Sequence, residues 1–293
     1  MNSIRKVAVF GAGVMGASIA AHIANAGVPV MLFDVASPER RDRNSVAAGA
    51  IARLAGAEPA PLMHKRNMSL ITPHNIDDDM GEIAGCDWII EAIVEKSDVK
   101  RALYRKIDEN RRQGSVVSSN TSTIPLAALT ADFPDSFARD FLITHFFNPP
   151  RYQRLLEIVA GEKTSADART AIEEFADLKL GKTPVRCKDT PGFIANRIGI
   201  YWLQCAVTQA IDSGLTVEEA DAVLGAPMGV PKTGVFGLLD MVGIDLMPNI
   251  LASMAASLSK DDPFHAAHRD LPLIKSMIAA GYTGRKGKGG FYR

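Results

Sequence analysis

A glycine-rich turn near the start of the chain carries the clearest chemical signal. It reads Gly11-Ala12-Gly13-Val14-Met15-Gly16, follows a short apolar strand and opens a helical stretch. In this pattern Gly11 permits a tight turn, Gly13 lets a pyrophosphate approach the backbone, and Gly16 lets the helix pack on the sheet. The helix N-terminus, which begins with Val14 and Met15, supplies unpaired N–H groups and a partial positive charge. The sequence therefore predicts a dinucleotide-binding turn.

The choice between NAD and NADP depends on Asp34, which ends the next predicted strand. A carboxylate at this position accepts hydrogen bonds from the ribose hydroxyls and repels a 2′-phosphate. We therefore expect NAD as the cofactor. Arg40 and Arg41 follow a few residues later and leave NADP open as the alternative, because arginine can accommodate a 2′-phosphate.

A histidine and a glutamate form the second candidate group. His145 opens the segment His145-Phe146-Phe147-Asn148-Pro149-Pro150 at the end of a predicted strand, and Glu157 lies inside the apolar run 155–159. A carboxylate in an apolar strand is costly unless it is paired, and a hairpin-like return would bring Glu157 beside His145. Such a carboxylate fixes the imidazole tautomer and makes the other ring nitrogen a general base. The residues alone fit equally well with a core histidine that has a structural carboxylate partner.

Polar residues 118–123, which read Ser-Ser-Asn-Thr-Ser-Thr, form the third candidate group. They stand at the carboxyl end of a buried strand, where doubly wound sheets bind their ligands. Their hydroxyls could hold a substrate oxygen or the nicotinamide. By itself the pattern is better explained as a Ser/Thr-rich helix cap before Ile124-Pro125.

Two further clusters are more typical of solvent-exposed surface. His265 and His268, with Asp261 and Asp262 nearby, have helical ligand spacing but no evident third strong ligand, so we predict no metal site. The glycine- and lysine-rich tail 284–290 resembles an anion-binding loop but lacks the Walker pattern. By itself the tail predicts a solvated terminus.

The composition is that of an ordinary globular protein. The chain has 293 residues, of which 47% are hydrophobic and 23% charged; this suits two domains and argues against disorder. Its 33 basic and 33 acidic residues cancel, so no net charge draws it to nucleic acid or to an anionic membrane. The three cysteines are far apart, which argues against a disulfide framework and fits a reducing compartment. No uninterrupted apolar run reaches about 18 residues, so we expect a soluble, cytoplasmic protein without a nucleic-acid or membrane partner.

The first half of the chain alternates short β-type runs with helical stretches. Helices are predicted at Met15 to Ala26, at Ser97 to Arg112, and after a capping box of Thr216 and Glu219. Strands are predicted at 7–10, 28–33, 88–90, 115–118, 141–144 and 155–159. Strands interleaved with helices indicate an α/β fold with a Rossmann-like, doubly wound, mostly parallel sheet.

The chain changes character after the turn Asp189-Thr190-Pro191-Gly192. Beyond this turn the signals are nearly all helical, beginning with a helix predicted at Phe193 to Asp212. We therefore predict a dinucleotide domain over residues 1–188 and an all-helical C-terminal domain over residues 189–293.

Motifs along nearly the whole chain resemble the 3-hydroxyacyl-CoA dehydrogenase family of fatty-acid β-oxidation. They include the glycine turn and the histidine segment, together with Glu91-Ala92-Ile93-Val94-Glu95, Ser119-Asn120-Thr121-Ser122, Lys188-Asp189-Thr190-Pro191-Gly192-Phe193-Ile194-Ala195-Asn196-Arg197, Pro227-Met228-Gly229 and Gly290-Phe291-Tyr292. The resemblance is strongest to the dehydrogenase regions of long bacterial proteins that also carry a hydratase-like domain. This leaves open that the natural polypeptide is longer.

The resemblance implies a role for each candidate residue. His145 would take the proton of the 3-hydroxyl while hydride passes from C3 to the nicotinamide, and Glu157 would orient it. Ser122 and Asn196 would hold the substrate oxygen. Contacts with NAD are implied for the glycine turn and for Asp34, Glu95, Lys100, Ser122, Asn148 and Lys286. The resemblance also implies an acyl-CoA substrate and a helical second domain that binds substrate and forms a homodimer.

Two segments depart from the family pattern. Residues 230–235 lengthen a loop that is shorter in the stand-alone dehydrogenases. Residues 44–65, where the family binds CoA, match poorly and contain Pro59 and Pro61, so no CoA-phosphate residue is predicted.

Two other functions stay open at this point. A dehydrogenase of a non-CoA hydroxy acid or sugar shares the two-domain plan, although such relatives commonly use a lysine base. An NAD-binding structural or sensor protein could keep the fold without turnover. The presence of both His145 and Glu157 argues against a protein without turnover, because such a descendant need not retain both.

Overall fold

The computed structural model describes residues 4–38, 42–230 and 232–292. Arg40 and Arg41, which left NADP open, lie outside these ranges, as does Pro231 of the lengthened loop. By its packing the chain forms two compact units, one ending at Phe193 and the other beginning at Ile194. Phe193 is buried in a core of the first unit, so this division lies a few residues after the boundary predicted at residue 188.

One eight-stranded sheet forms the framework of the first unit. Its strands are β1 (Val7–Phe10), β2 (Val30–Asp34), β3 (Ile71–Asn75), β4 (Trp88–Glu91), β5 (Val116–Ser119), β6 (Phe141–Phe146), β7 (Leu155–Ala160) and β8 (Thr183–Cys187). Across the sheet they follow the order β3-β2-β1-β4-β5-β6-β7-β8. The first six are parallel, in the order 3-2-1-4-5-6 of dinucleotide-binding sheets. β7 runs antiparallel to β6, and β8 runs parallel to β7.

Helices cover both faces of this sheet. They are α1 (Val14–Asn25), α2 (Ser45–Arg53), α3 (Ser97–Asn110), α4 (Leu126–Thr130), α5 (Asp135–Arg139) and α6 (Ala166–Leu178), with 3₁₀ turns at Lys65–Leu70 and Met80–Gly85. Side chains alternate along a strand, so Val7 and Val9 join a core with α1 and α6, whereas Ala8 and Phe10 join a core with α3. The predicted doubly wound, mostly parallel sheet is therefore confirmed.

The two edge strands, β3 and β8, were not predicted. Each contains a proline, Pro73 in β3 and Pro184 in β8. Proline lacks the N–H that a central strand needs but is tolerated where one side of the strand has no neighbour. Proline and polar residues interrupt both strands, so neither has the short apolar run by which the other six were predicted.

The second unit is helical in the part of the chain that the structure describes. Its helices are α7 (Ala195–Asp212), α8 (Val217–Val223), α9 (Phe236–Val242), α10 (Met247–Ser257), α11 (Phe264–Ala267) and α12 (Pro272–Ala280), with 3₁₀ turns at Ala226–Met228 and Ile244–Leu246. Leu203, Val207 and Ala210 of α7 contribute to its apolar core. The predicted capping box is confirmed, because Thr216 and Glu219 each bond the other's backbone N–H at the start of α8.

Among the described residues no single helix is long and apolar enough to cross a membrane; one bent pair, Phe236–Val242 with Ile244–Ser257, meets the length and composition criteria jointly.

Candidate active site

The glycine turn has the close contacts that its sequence predicts. Gly11 has φ +99°, and a Cβ there would lie 2.5 Å from the Ala92 carbonyl oxygen. A Cβ on Gly16 would lie 1.8 Å from the Gly11 carbonyl oxygen, so α1 can approach β1 only through glycine. Gly13 faces open space, and no side chain caps the N-terminus of α1. The turn thus leaves the positive end of the helix accessible to an anion.

Asp34 is fixed against this turn at the end of β2. Its Oδ2 accepts a hydrogen bond from the Ala12 N–H at 2.5 Å, and its Oδ1 accepts one from the Val35 N–H at 2.7 Å. Beside it lies a pocket of about 500 Å³ whose walls are mostly apolar, with Ile76 and Val94 among the lining residues. Each carboxylate oxygen has a second lone pair, so Asp34 can still accept bonds from a ligand.

His145 and Glu157 are direct neighbours across the β6–β7 ladder. The antiparallel register pairs the two residues, and Nδ1 of His145 lies 2.7 Å from Oε2 of Glu157. His145 is 6% exposed and Glu157 is fully buried. An ionised carboxylate only accepts hydrogen bonds, which assigns the ring hydrogen to Nδ1 and leaves Nε2 as an acceptor. Nε2 makes no hydrogen bond within the part of the chain that the structure describes.

The loop that carries Ser122 lies at the same edge of the sheet, after β5. Glu95 holds this loop by hydrogen bonds to its Oε1 atom. The donors are the hydroxyl of Thr121, the N–H of Ser122 at 3.2 Å, and both the N–H and the hydroxyl of Thr123. The Ser122 hydroxyl itself makes no hydrogen bond to a described residue and is available to a ligand.

The same loop is tied directly to the histidine strand. The Asn120 side-chain oxygen accepts a hydrogen bond from the N–H of Phe146, the residue after His145, at 2.9 Å. The structure thus brings the Ser122 loop and His145 onto adjacent strand ends, as the parallel pairing of β5 and β6 requires.

A buried ionic network lies beneath this loop, and sequence analysis missed its centre. Glu91 is fully buried and accepts hydrogen bonds from Lys100 at 2.6 Å, Tyr104 at 2.5 Å and Ser119 at 2.7 Å. Lys100 is 1% exposed and also reaches Glu95 at 3.1 Å. Lys100, predicted to contact NAD, is therefore engaged by two carboxylates. Glu91 ends the apolar run Trp88-Ile89-Ile90-Glu91, so, like Glu157, it is a carboxylate in an apolar strand that needs a buried partner.

Two pKa shifts follow from this network. Burial opposes ionisation of Glu95, but the Lys100 charge and the hydrogen bonds from Thr121, Lys100 and Thr123 outweigh burial and lower the pKa of Glu95. Burial, followed by the neighbouring Glu91, raises the pKa of Tyr104 well above its usual value. The lowered pKa favours a charged Glu95, and the raised pKa favours a neutral Tyr104 that donates its hydroxyl hydrogen to Glu91.

The loop after β6 contains Asn148, whose side chain is exposed. A second residue that the sequence did not reveal anchors this loop: Lys182 is 2% exposed and donates hydrogen bonds to the carbonyl oxygens of Pro150 and, at 2.7 Å, Gln153. Its ammonium also lies 5.7 Å from the Phe146 ring centre. Burial lowers the pKa of Lys182 to about 8. Carbonyl partners leave no trace in the sequence, so this residue could not be recognised from a motif.

The remaining predicted residues belong to the second unit. Asn196 is half-buried in the first turn of α7. Lys286 forms an ion pair with Asp245 at 2.9 Å and lowers the pKa of that carboxyl through their hydrogen bond. His265 bonds the Ser259 carbonyl oxygen. Within the described residues no group of three or more histidine, cysteine, aspartate or glutamate side chains is arranged to hold a metal.

Both units match domains of one known protein family. Residues 6–190 match the family described as 3-hydroxyacyl-CoA dehydrogenase, NAD binding domain, and residues 192–293 match the C-terminal domain of 3-hydroxyacyl-CoA dehydrogenase. A probable 3-hydroxyacyl-CoA dehydrogenase of Deinococcus radiodurans is 38% identical over 99% of this chain and 83% of its own length. The structure of (S)-3-hydroxybutyryl-CoA dehydrogenase PaaH1 from Ralstonia eutropha superposes with a TM-score of 0.78 and 29% identity over 99% of each chain.

A longer relative matches over part of its length only. The putative fatty acid oxidation complex trifunctional enzyme of Rickettsia felis is 41% identical over all of this chain, which spans 41% of that protein. The resemblance inferred from the motifs and the NAD binding domain are therefore both confirmed.

Proposed function

We propose, because this chain belongs to the 3-hydroxyacyl-CoA dehydrogenase family, that it interconverts L-3-hydroxyacyl-CoA and 3-ketoacyl-CoA with NAD as the hydride carrier, a reaction of fatty-acid β-oxidation. The observation that carries the proposal is the 2.7 Å contact between Nδ1 of His145 and Glu157, which leaves Nε2 of His145 without a hydrogen bond to any described residue. The cytoplasmic location and the homodimer expected from the sequence stay predictions.

The first unit fits NAD at three points. The uncapped N-terminus of α1 and the open space at Gly13 suit a pyrophosphate, because backbone N–H groups and the helix dipole favour an anion there. Asp34 would accept hydrogen bonds from the ribose hydroxyls. The pocket that contains Ile76 and Val94 would take the adenine ring against apolar walls.

His145 acts as the general base in the direction of alcohol oxidation. Its Nε2 takes the proton of the 3-hydroxyl, and the ring becomes an imidazolium. The Glu157 carboxylate holds the ring through Nδ1 and stabilises that positive charge. In the reverse direction the same imidazolium returns the proton to the ketone oxygen.

Ser122 supports the reacting oxygen. Glu95 fixes the loop backbone, so the Ser122 hydroxyl is held in place without using its own hydrogen-bonding groups. A preorganised donor of this kind stabilises negative charge that develops on oxygen in the transition state. Asn196 is proposed, from the family pattern, to contact the same oxygen.

The test measures NADH oxidation with acetoacetyl-CoA, with free acetoacetate and without substrate. Activity with acetoacetyl-CoA alone supports the proposal, activity with both favours a non-CoA hydroxy-acid dehydrogenase, and NADH binding without turnover favours a sensor or structural protein. His145→Gln should lower kcat by about 10²–10⁴-fold, the usual contribution of a positioned acid–base group. The control is His74→Gln, which removes a half-buried histidine that stacks on Phe33 at the edge of the sheet.

A further inference from the structure

Phe193 has a backbone conformation that its side chain disfavours. Its φ is +48°, in the left-handed region, and it is the one non-glycine residue with positive φ among those described. For a bulky side chain this conformation is a true outlier and costs free energy. Such strain persists where the surrounding structure imposes it, and it concentrates at functional sites.

Three contacts hold the segment in place. Residues Thr190 to Phe193 form a turn with proline second and Gly192 third at φ +74°, closed by a 2.9 Å bond from the Phe193 N–H to the Thr190 carbonyl. Asp189 precedes the turn and accepts hydrogen bonds from the N–H groups of Leu126 and Ala127, at 2.9 and 3.1 Å. The turn is thus anchored to the start of α4, and these contacts fix the backbone up to the Phe193 N–H.

The Phe193 side chain meets the imidazole of His145. The two ring centres are 5.7 Å apart with an angle of 63° between the planes, and Phe193 is 5% exposed. The Phe147 ring lies 4.5 Å from the same imidazole. The bond to Glu157 fixes Nδ1 but leaves the ring free to tilt about that contact. The two phenyl rings restrict this tilt and so set the direction of Nε2.

We propose that Phe193 is a positioning residue that aims the Nε2 atom of His145 at the reacting hydroxyl. The inference rests on the proposed function, since it assigns Phe193 a role only through His145. Misplacement of a reacting group by about 1 Å can cost roughly 100-fold in rate. Phe193→Leu keeps most of the apolar volume but removes the ring, so kcat should fall by about 10–100-fold while NADH affinity stays unchanged.

Phe175→Leu is the matched control. Phe175 is 6% exposed in the same unit and meets the Trp88 ring edge-on at 5.8 Å, but it has no ring contact with His145. Both variants lose one buried phenyl ring, so their melting temperatures should fall by similar amounts. Only Phe193→Leu should lower kcat strongly.

A background of His145→Gln shows whether Phe193 acts through the histidine. In that background Phe193→Leu should cause no further loss of kcat, because residues that act as one unit are non-additive. A loss of equal size in both backgrounds overturns the inference, as does a kcat for Phe193→Leu within twofold of the wild type. Phe193→Gly separates ring from backbone, because glycine adopts positive φ freely; full activity in this variant also overturns the inference. If the wild-type protein shows no turnover, the proposed function is refuted, and the inference about Phe193 fails together with it.

Discussion

The ion pair between Lys100 and Glu91 gives a prediction whose size follows from burial. Lys100→Met removes the one cation that, among the described residues, bonds the fully buried carboxylate of Glu91. Glu91 keeps its bonds from Tyr104, Ser119 and the Ile93 N–H, but its charge is then uncompensated. Removing one partner of a buried pair typically costs about 3–5 kcal/mol. Since domains are stable by only about 5–15 kcal/mol, the change should be large.

An exposed ion pair with the same contact distance serves as the control. Lys163 and Asp135 are also 2.6 Å apart, but their side chains are 64% and 84% exposed. Exposed pairs are screened by water and contribute little, so Lys163→Met should leave stability within experimental error. The two lysine variants thus differ in burial and hardly at all in contact distance.

The measurement is urea unfolding followed by tryptophan fluorescence. The chain has two tryptophans, Trp88 in the first unit and Trp202 in the second. In a Trp202→Phe background, the buried Trp88 reports on the first unit alone. A double-mutant cycle with Glu91→Gln then isolates the coupling of the pair: the double variant should be more stable than the sum of the single losses implies, by about 0.5–3 kcal/mol. Strict additivity, or a Lys100→Met loss no larger than that of Lys163→Met, would refute the argument.

Three further predictions test individual side chains. Asp34→Ala should weaken NADH binding, because each lost charge-assisted hydrogen bond is worth about 1.5–3 kcal/mol, and should narrow the preference for NADH over NADPH. Equal catalytic efficiency of the wild-type protein with NADH and NADPH would contradict this. Glu157→Gln should lower kcat, because a neutral amide cannot stabilise the imidazolium that forms when His145 takes the proton; a kcat equal to that of the wild type would contradict this. Lys182→Met should change how stability depends on pH. Burial lowers the pKa of Lys182 from 10.5 to about 8, so between these pH values the unfolded chain binds a proton that the folded chain has lost. The wild type should therefore gain stability relative to the variant as the pH rises from about 8 to 10.5. Parallel curves of stability against pH for the two proteins would contradict this.

The His145–Glu157 pair could be predicted from the sequence because a buried charge needs a partner. Glu157 was identified because a carboxylate in an apolar strand must have a partner, and the nearest histidine was twelve residues back. The same rule applies to Glu91, whose partners Lys100 and Tyr104 come from the following helix. Buried carboxylates in strands are thus predictable from sequence, provided that the rule is applied to each of them.

Other parts of the site leave no such mark. Lys182 is held by the carbonyl oxygens of Pro150 and Gln153, and every residue has a carbonyl. Phe193 has positive φ at the end of a turn that Asp189 anchors to α4, and that anchor is a tertiary contact. Backbone partners and backbone strain are decided by the fold as a whole, so single-sequence reasoning reaches neither.

The reversal of strand direction at β7 is what allows the histidine and its carboxylate to be close in sequence. In a parallel pair the chain must cross back over the sheet, usually through a helix, before the next strand begins. A carboxylate twelve residues after His145 would then lie within that crossover and not opposite the imidazole. The antiparallel turn returns the chain at once, so the register sets Glu157 directly across from His145 at the edge where the parallel strands β1, β4, β5 and β6 end. The imidazole proposed as general base is thereby oriented from inside the sheet, while the loops after β4 and β5 form the side of the candidate site that carries Ser122.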